Sequence, residues 1–198
     1  MCAMFCCSDF CFDIFICIYL IFFRGIIYYN VSMFTFIDLF SGVGGFRIPL
    51  ENMGGRCVGF SEIDKSAIEV YKKNFDTKDE LEFGDITKLK NLPQVDLLVG
   101  GVPCQAWSVA GKKEGFKDPR GKLWEDCIRL LGTNKPKAFV FENVKGLYDP
   151  RNRSSLELII NEFKKKGYRV YHKLLNAFDY GLPQNRDRLF LSLIHISE

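Results

Sequence analysis

A cysteine stands at the end of an apolar run in the middle of the chain, where residues 95–102 lead into Pro103, Cys104 and Gln105. The run predicts a buried strand, and α/β sheets bind their ligands at the carboxyl ends of strands. A thiolate is a strong nucleophile, and a helix that begins soon after the strand would favour the ionised form. A lone cysteine is also a common core residue, so Cys104 alone leaves a nucleophile and a structural residue as alternatives.

A carboxylate and an amide, Glu142 and Asn143, end a second short apolar run that begins at Ala138. Two neighbouring strands of one parallel sheet would present Cys104 and Glu142 at the same edge. Such a pair could act as a nucleophile and as a general acid or base toward one substrate.

A third apolar run enters a glycine-rich turn at residues 40–46, where glycines let the backbone pass close to a ligand. Arg47 stands where a dinucleotide-binding loop has its third glycine, which counts against NAD. Glu62 ends the next strand and is placed to accept hydrogen bonds from ribose hydroxyls. Asp85 would reach an adenine edge while Ile86 covers the ring. These positions indicate a nucleoside cofactor without a pyrophosphate.

The composition is that of an ordinary globular protein, with 47% hydrophobic and 26% charged residues among 198, enough for one α/β domain. A formal net charge of +3 permits a nucleic-acid ligand without indicating one. The cysteines after residue 32 are typical of a reducing compartment. No Cys-x-x-Cys pair with later cysteine or histidine partners indicates a metal site. The cysteines concentrated near the start are Cys2, Cys6, Cys7, Cys11 and Cys17.

Residues 1–32 differ in composition from the rest of the chain. Their apolar run, Ile14–Phe23, is about half as long as a membrane span, ends at Arg24 and has no basic segment before it. We expect Met33 to be the true start and the upstream leader to be spurious translation, with a translocation signal as the alternative. Residues 33–198 then form one domain.

From Met33 onward, strand and helix patterns alternate, which predicts an α/β fold with a mostly parallel, doubly wound, twisted sheet. We expect strands at 34–39, 56–61, 81–83, 95–100, 137–142, 168–176 and 188–194. The expected helices are 46–53, 64–74, 122–132 and 153–166. No internal repeat or low-complexity linker interrupts this pattern.

Four motifs together resemble the ordered motif set of the cytosine-5 DNA methyltransferase family, of the bacterial or phage restriction-modification type. Each motif alone is weak, but four in this order and spacing are specific, and they cover residues 34 to 192. The resemblance implies the Rossmann-like fold of S-adenosylmethionine-dependent methyltransferases, incomplete at the C-terminus. The motifs are FSGVGG at 40–45, GVPCQAWS at 101–108, ENV at 142–144 and QNRDR at 184–188.

The resemblance implies S-adenosylmethionine as cofactor and cytosine in double-stranded DNA as methyl acceptor, with the target base flipped out of the duplex. Cys104 would add to C6 of the ring, and Glu142 would hydrogen-bond or protonate N3. Arg188 and Arg186 would contact the flipped base or its phosphates, and the alternative is that they pair with surface carboxylates. The implied cofactor-binding residues are Phe40, Gly42, Gly44, Glu62, Ile63, Asp85, Ile86 and Pro103.

The match ends at Glu198, whereas family members continue with a target-recognition region and a final segment that completes the cofactor pocket. We expect the chain to be a gene fragment that binds DNA weakly and without sequence preference. A tRNA cytosine-5 methyltransferase and an inactive nucleic-acid-binding fragment are the alternatives. The resemblance also implies a cytoplasmic monomer without membrane association, with a cognate restriction endonuclease as its genetic partner.

Overall fold

A computed structural model of the chain describes residues 33–103 and 122–195. The predicted leader at 1–32 and Cys104 lie outside these ranges. The strands are β1 Phe34–Leu39, β2 Gly55–Ser61, β3 Leu81–Glu82, β4 Leu97–Gly101, β5 Ala138–Val144, β6 Tyr168–Asn176 and β7 Asp187–His195. The helices are α1 Arg47–Asn52, α2 Lys65–Asn74, α3 Leu123–Asn134 and α4 Arg153–Lys165.

The described strands form one seven-stranded sheet with the order β3-β2-β1-β4-β5-β7-β6. The strand pairs from β3 to β5 are parallel, whereas β7 runs antiparallel to both β5 and β6. The predicted mostly parallel α/β sheet is confirmed. The carboxyl ends of β1, β2, β4 and β5 share one edge of the sheet, where the residues that follow them can face a common ligand.

The central strands are nearly continuous apolar runs because helices cover both faces of the sheet. On one face, the ring of Phe141 lies 5.8 Å from Trp124 of α3 and 6.3 Å from Phe163 of α4, measured between centroids. On the other face, Phe46 and Leu50 from the α1 region pack against β1 and β4. The sheet is therefore held from both sides, which fixes its ligand-facing edge.

Helix α2 begins directly beyond the end of β2 because Asp64 caps its first turn. The Asp64 Oδ1 atom accepts hydrogen bonds from the backbone N–H groups of Ser66 at 2.8 Å and Ala67 at 3.0 Å. Further along the helix, the buried ring of Tyr71 stacks on Phe60 with 4.3 Å between centroids. Both contacts give the short connection from β2 to α2 a defined place at the sheet edge.

Strand β5 is longer than its sequence pattern predicts. The expected end is residue 142, but pairing with β7 continues as far as Val144, which lies opposite Arg188. Glu142 is therefore a strand residue, placed opposite Phe190. Backbone pairing with the antiparallel strand carries β5 through the polar residues where its apolar run stops.

Within residues 33–103 and 122–195, no helix combines the length and apolar character needed to cross a membrane. The same residues hold no group of three His, Cys, Asp or Glu side chains placed to bind a metal ion. Cys57 and Cys127 are buried, and burial raises the pKa of both thiols, to about 12 for Cys57. Burial and the raised pKa both disfavour the reactive thiolate form of these two cysteines.

Candidate active site

The end of β4 and the middle of β5 bring Glu142 beside the segment that leads to Cys104. Gly101 is paired with Glu142 across the two strands. The Val102 N–H donates to the Glu142 carbonyl at 3.1 Å. A Cβ atom at Gly101 would lie 3.4 Å from Glu142 Oε2. Pro103 is the last described residue of this segment, so the predicted nucleophile Cys104 itself lies outside the described residues.

Asn143 fixes the same junction from inside the sheet. Its side chain is fully buried, and Nδ2 donates to the Val102 carbonyl at 3.0 Å while Oδ1 accepts the Val144 N–H at 2.9 Å. Buried amide groups are normally hydrogen-bonded, and the bond to Val102 holds the main chain just ahead of Pro103. The sequence motif predicts a role only for Glu142. A polar amide inside an apolar strand is the signal that points to Asn143.

Glu142 forms an ion pair with Arg188, which reaches it from the neighbouring antiparallel strand. The distance from Arg188 Nε to Glu142 Oε1 is 2.6 Å, and the two side chains are 20% and 18% exposed. Burial raises the pKa of the Glu142 carboxyl, and the cations of Arg188 and Arg186 only partly oppose that effect. Burial thus shifts Glu142 toward the protonated form, which can donate a hydrogen bond or proton to a substrate, whereas the ion pair with Arg188 is made by the charged form.

Arg186 lies just before β7 at the same edge of the sheet. Its N–H donates to Asn176 Oδ1 at 3.3 Å, and its carbonyl accepts the Ala177 N–H at 3.0 Å. Lys145 Nζ contacts Asp187 Oδ2 at 2.7 Å, which ties this segment to the residues that follow β5. The two predicted arginines, Arg186 and Arg188, thus lie at the edge that carries Glu142.

The glycine loop after β1 adopts backbone angles that favour glycine at two of its positions. Gly42 and Gly44 have φ angles of 54° and 97°. A Cβ atom at Gly44 would lie 2.2 Å from Phe75 Cε2, so a side chain there would collide with the ring. Phe40, at the start of the loop, has a φ of 53° and is the strained non-glycine residue of the turn.

Glu62 joins this loop to the end of β2. Its Oε2 accepts the Gly42 N–H at 2.9 Å, and its Oε1 accepts the N–H groups of Ile63 and Asp64 at 2.7 and 2.9 Å. Each carboxylate oxygen has two lone pairs, so these bonds leave acceptor capacity for further donors. The arrangement is compatible with the predicted bonds to ribose hydroxyls, which remain a prediction.

The remaining predicted cofactor residues differ in exposure. Ile63 is 73% exposed at the sheet edge, whereas Ile86 is 2% exposed and packs in the core. A cofactor contact at Ile86 would therefore go through its backbone. Asp85 accepts bonds from the Thr87 N–H at 3.0 Å and the Thr87 hydroxyl at 2.8 Å, and these bonds lower the pKa of the carboxyl. Asp85 is thus held in its charged form.

Arg47 occupies a buried position that its sequence context did not reveal. Its side chain is 4% exposed, and its two terminal nitrogens contact the Glu80 carboxylate at 2.8 and 2.6 Å. The guanidinium carbon lies 4.4 Å from the centroid of Phe75, the ring that closes against Gly44. Arg47 therefore supports the glycine loop from the side facing α2.

Asp38, on β1 just before the loop, is a fully buried carboxyl. Neither of its oxygens has a hydrogen-bond partner among the residues that the structure describes. Burial raises the pKa of Asp38 well above its ordinary value, although the nearby Arg47 cation lowers it. The folded protein therefore favours the protonated form.

Comparison with known proteins identifies the family. The sequence profile of the C-5 cytosine-specific DNA methylases matches residues 34–198, and the chain belongs to this family. The Type II methyltransferase M.HgiCII of Herpetosiphon aurantiacus is 62% identical over 162 residues, which cover 81% of this chain and 37% of that protein. The Type II methyltransferase M.HhaI of Haemophilus parahaemolyticus is 46% identical over 158 residues, 79% of this chain and 47% of that protein.

Solved structures agree with the fold. An E. coli prophage protein described as a DNA modification methyltransferase superposes with a TM-score of 0.68 at 28% identity, over 82% of this chain and 47% of its own. DNMT2 of Spodoptera frugiperda superposes with a TM-score of 0.64 at 27% identity, over 82% of this chain and 50% of its own. The chain thus has a methyltransferase fold and spans less than half the length of the two curated relatives described above.

Proposed function

We propose that the chain is the catalytic part of an enzyme that transfers a methyl group from S-adenosylmethionine to C5 of cytosine in DNA. The observation that carries this proposal is Glu142, whose largely buried carboxyl is paired with Arg188 and whose main chain is bonded to the segment leading to Cys104. The relatives with Type II methyltransferase names support it.

The chemistry of cytosine explains why this set of residues is needed. C5 is a poor nucleophile until a group adds to C6. The Cys104 thiolate would form a bond to C6 while protonated Glu142 donates to N3, so that the electron pair of the C5–C6 double bond becomes available at C5. S-adenosylmethionine supplies the electrophilic methyl group. Loss of the C5 proton to a base then restores the double bond and expels Cys104 as thiolate, and N3 returns its proton to Glu142.

Arg188 has a supporting role in this scheme. Its guanidinium holds the Glu142 carboxyl in place, and Arg186 would contact the flipped base or its phosphates from the same edge. Because the target atom is hidden in duplex DNA, the base must leave the stack to reach Glu142.

The residues at the ends of β1 and β2 fit S-adenosylmethionine. The glycine loop would pass beside its methionine part, and Glu62 would accept a bond from a ribose hydroxyl, since its Oε2 retains a lone pair. The exposed Ile63 side chain offers an apolar surface for the adenine ring, and Asp85 a charged acceptor for its amino group. Phe40, Ile86 and Pro103 complete the proposed site.

We further propose that residues 33–198 form the catalytic domain, which acts as a cytoplasmic monomer on double-stranded DNA. The restriction-modification relatives support a cognate endonuclease as genetic partner. The leader at residues 1–32 has no part in the proposed chemistry.

A methyl-transfer assay tests the proposal. Labelled S-adenosylmethionine would be incubated with DNA or tRNA and with the chain, alone and joined to the C-terminal part of M.HgiCII that lies beyond the matched residues. We expect label in DNA from the joined protein and none when Cys104→Ser is introduced. Label in tRNA alone would show that the substrate is tRNA and not DNA. A joined protein that labels neither would overturn the proposed function.

A further inference from the structure

Asn176 is the centre of a hydrogen-bond network beside the proposed DNA-contacting arginines. Its Nδ2 donates to Asn185 Oδ1 at 2.6 Å and to Asp187 Oδ1 at 2.9 Å. Its Oδ1 accepts the N–H groups of Phe178 at 3.0 Å and Arg186 at 3.3 Å. One half-buried amide thereby bonds both sides of the turn that connects β6 to β7.

Three of the four partners of Asn176 are Arg186 and the residues on either side of it in the chain. Asn185 precedes it, Asp187 follows it, and the main chain of Arg186 itself donates to the amide oxygen. The Ala177 N–H adds a backbone bond to the Arg186 carbonyl at 3.0 Å. The backbone that carries Arg186 is therefore fixed on both sides, which limits the directions in which its side chain can point.

Charged groups extend the network toward Glu142. Lys145, which follows β5, contacts Asp187 at 2.7 Å, and Arg188 on β7 is the partner of Glu142 at 2.6 Å. The Lys145 cation lowers the pKa of Asp187, and Asn176 and Arg188 contribute to the same effect. Asp187 is thus a charged acceptor shared by the amide of Asn176 and the ammonium of Lys145.

We propose that Asn176 is a positioning residue for DNA recognition, which holds the segment 184–188 in the conformation that presents Arg186 to a phosphate or to the flipped base. The inference rests on the proposed function, because it assigns DNA as the partner of Arg186. A preordered arginine loses less conformational entropy on binding than a mobile one. The amide suits this position since it is both donor and acceptor and carries no charge.

Replacing the Asn176 amide by a carboxylate removes its donor groups and keeps its acceptor. In Asn176→Asp the side chain still accepts the Phe178 and Arg186 N–H groups but loses the donor to Asp187. Two carboxylates then face each other, with Lys145 and Arg188 as the nearby cations. Such a pair holds a proton at a higher pH than an isolated carboxyl, and the shared proton restores a donor. The defect of this variant is therefore expected at pH 8 and becomes smaller as the pH falls and the pair takes up a proton.

Asn134 provides a matched control. Its Nδ2 donates to the Leu130 carbonyl at 2.8 Å and its Oδ1 accepts the Leu92 N–H at 2.8 Å, so it makes both kinds of bond outside the network. Substitutions at Asn134 remove a comparable pair of amide hydrogen bonds and leave the contacts of the segment 184–188 in place.

The first measurement is amide hydrogen exchange of the full chain, which requires no DNA. We expect Asn176→Ala to accelerate exchange in the peptides that span 177–188 by about tenfold, as when a bond of about 1.4 kcal/mol is lost. Asn134→Ala should leave these peptides unchanged. Unchanged exchange in Asn176→Ala would show that the amide does not order the segment and would overturn the inference.

The second measurement is the affinity of the full chain for a fluorescent DNA duplex at low salt, combined with calorimetry of S-adenosylmethionine. We expect Asn176→Asp to weaken DNA binding about tenfold at pH 8, to regain affinity relative to wild type as the pH falls, and to bind the cofactor normally. Asn176→Ala should not recover. When Arg186→Ala is already present, adding Asn176→Asp should have little further effect.

The outcomes separate the two proposals. Additive effects of Asn176→Asp and Arg186→Ala, or an equal loss in Asn134→Asp, would overturn the positioning role while DNA binding by wild type stands. A wild-type chain that does not bind DNA would contradict the proposed partner, and the exchange measurement alone would then decide whether Asn176 orders the segment.

Discussion

Gly44→Ala should be among the most destabilising single substitutions in the glycine loop. The φ angle of 97° at Gly44 is unfavourable for an L-residue, and the added Cβ would lie 2.2 Å from Phe75 Cε2. Left-handed backbone costs about 1–2 kcal/mol for a residue with a Cβ atom, and overpacking typically costs about 1–3 kcal/mol. The expected loss is therefore about 2–5 kcal/mol, a large part of the roughly 5–15 kcal/mol that stabilises a domain.

Gly42→Ala is the matched control for the steric share of this loss. Gly42 also has a positive φ, 54°, but a Cβ atom there would meet nothing within 4 Å. Only the backbone cost of about 1–2 kcal/mol should appear. Urea unfolding followed by circular dichroism gives both differences in the free energy of unfolding. Equal losses in the two variants, or no partial recovery when Phe75→Leu is added to Gly44→Ala, would refute the proposed contact.

Three further predictions concern the carboxyl groups at the sheet edge. Glu142→Gln should lower the turnover of the methyltransferase about 10²- to 10⁴-fold, the usual contribution of general acid catalysis, and should change the S-adenosylmethionine affinity little. Single-turnover kinetics would measure this loss. Near-normal turnover would show that Glu142 is only a structural residue. Glu62→Ala should weaken S-adenosylmethionine binding by about 1–3 kcal/mol in calorimetry, and Glu82→Ala, on the neighbouring strand, should not. Asp38→Asn should make the free energy of unfolding fall less as the pH rises. The folded-state pKa of Asp38 is raised, so its contribution to stability in the wild type is full below the ordinary value of about 3.9 and is lost as the pH rises through the folded-state pKa. Urea unfolding between pH 4 and pH 8 checks this, and identical pH slopes in wild type and variant would contradict a buried, protonated Asp38.

Much of the fold can be predicted from local sequence because buried parallel strands are continuous apolar runs. The pattern places β1 at 34–39 and β6 at 168–176, as the structure has them. The position of β7 between β5 and β6 has no local signal, since it depends on long-range pairing. The same pairing extends β5 past Glu142 and brings Arg188 to it, so the ion pair at the centre of the site could not be derived from either segment alone.

The supporting residues were harder to predict than the motif residues. Glycines at 42 and 44 indicate a close turn because glycine tolerates positive φ, but nothing in the sequence shows that Phe75 lies against Gly44. In the local sequence, Arg47 shows only that the third glycine of a dinucleotide-binding loop is missing. Its ion pair with Glu80 could not be predicted, because Glu80 lies beyond α2 in the chain. Asn176 likewise acquires its partners only when β6 and β7 are paired.

Covalent trapping tests the central claim most directly. The chain, joined to the C-terminal part of M.HgiCII, would be incubated with S-adenosylmethionine and a DNA duplex that carries 5-fluorocytosine at the target position. Fluorine at C5 cannot leave as a proton does, so the bond between cysteine and C6 should persist, and the complex should survive denaturing electrophoresis. We expect the adduct in the wild-type protein, its position at Cys104 by peptide mass spectrometry, and its absence in Cys104→Ala. An adduct that persists in Cys104→Ala, or one mapped to another residue, would contradict the assignment of Cys104 as the nucleophile.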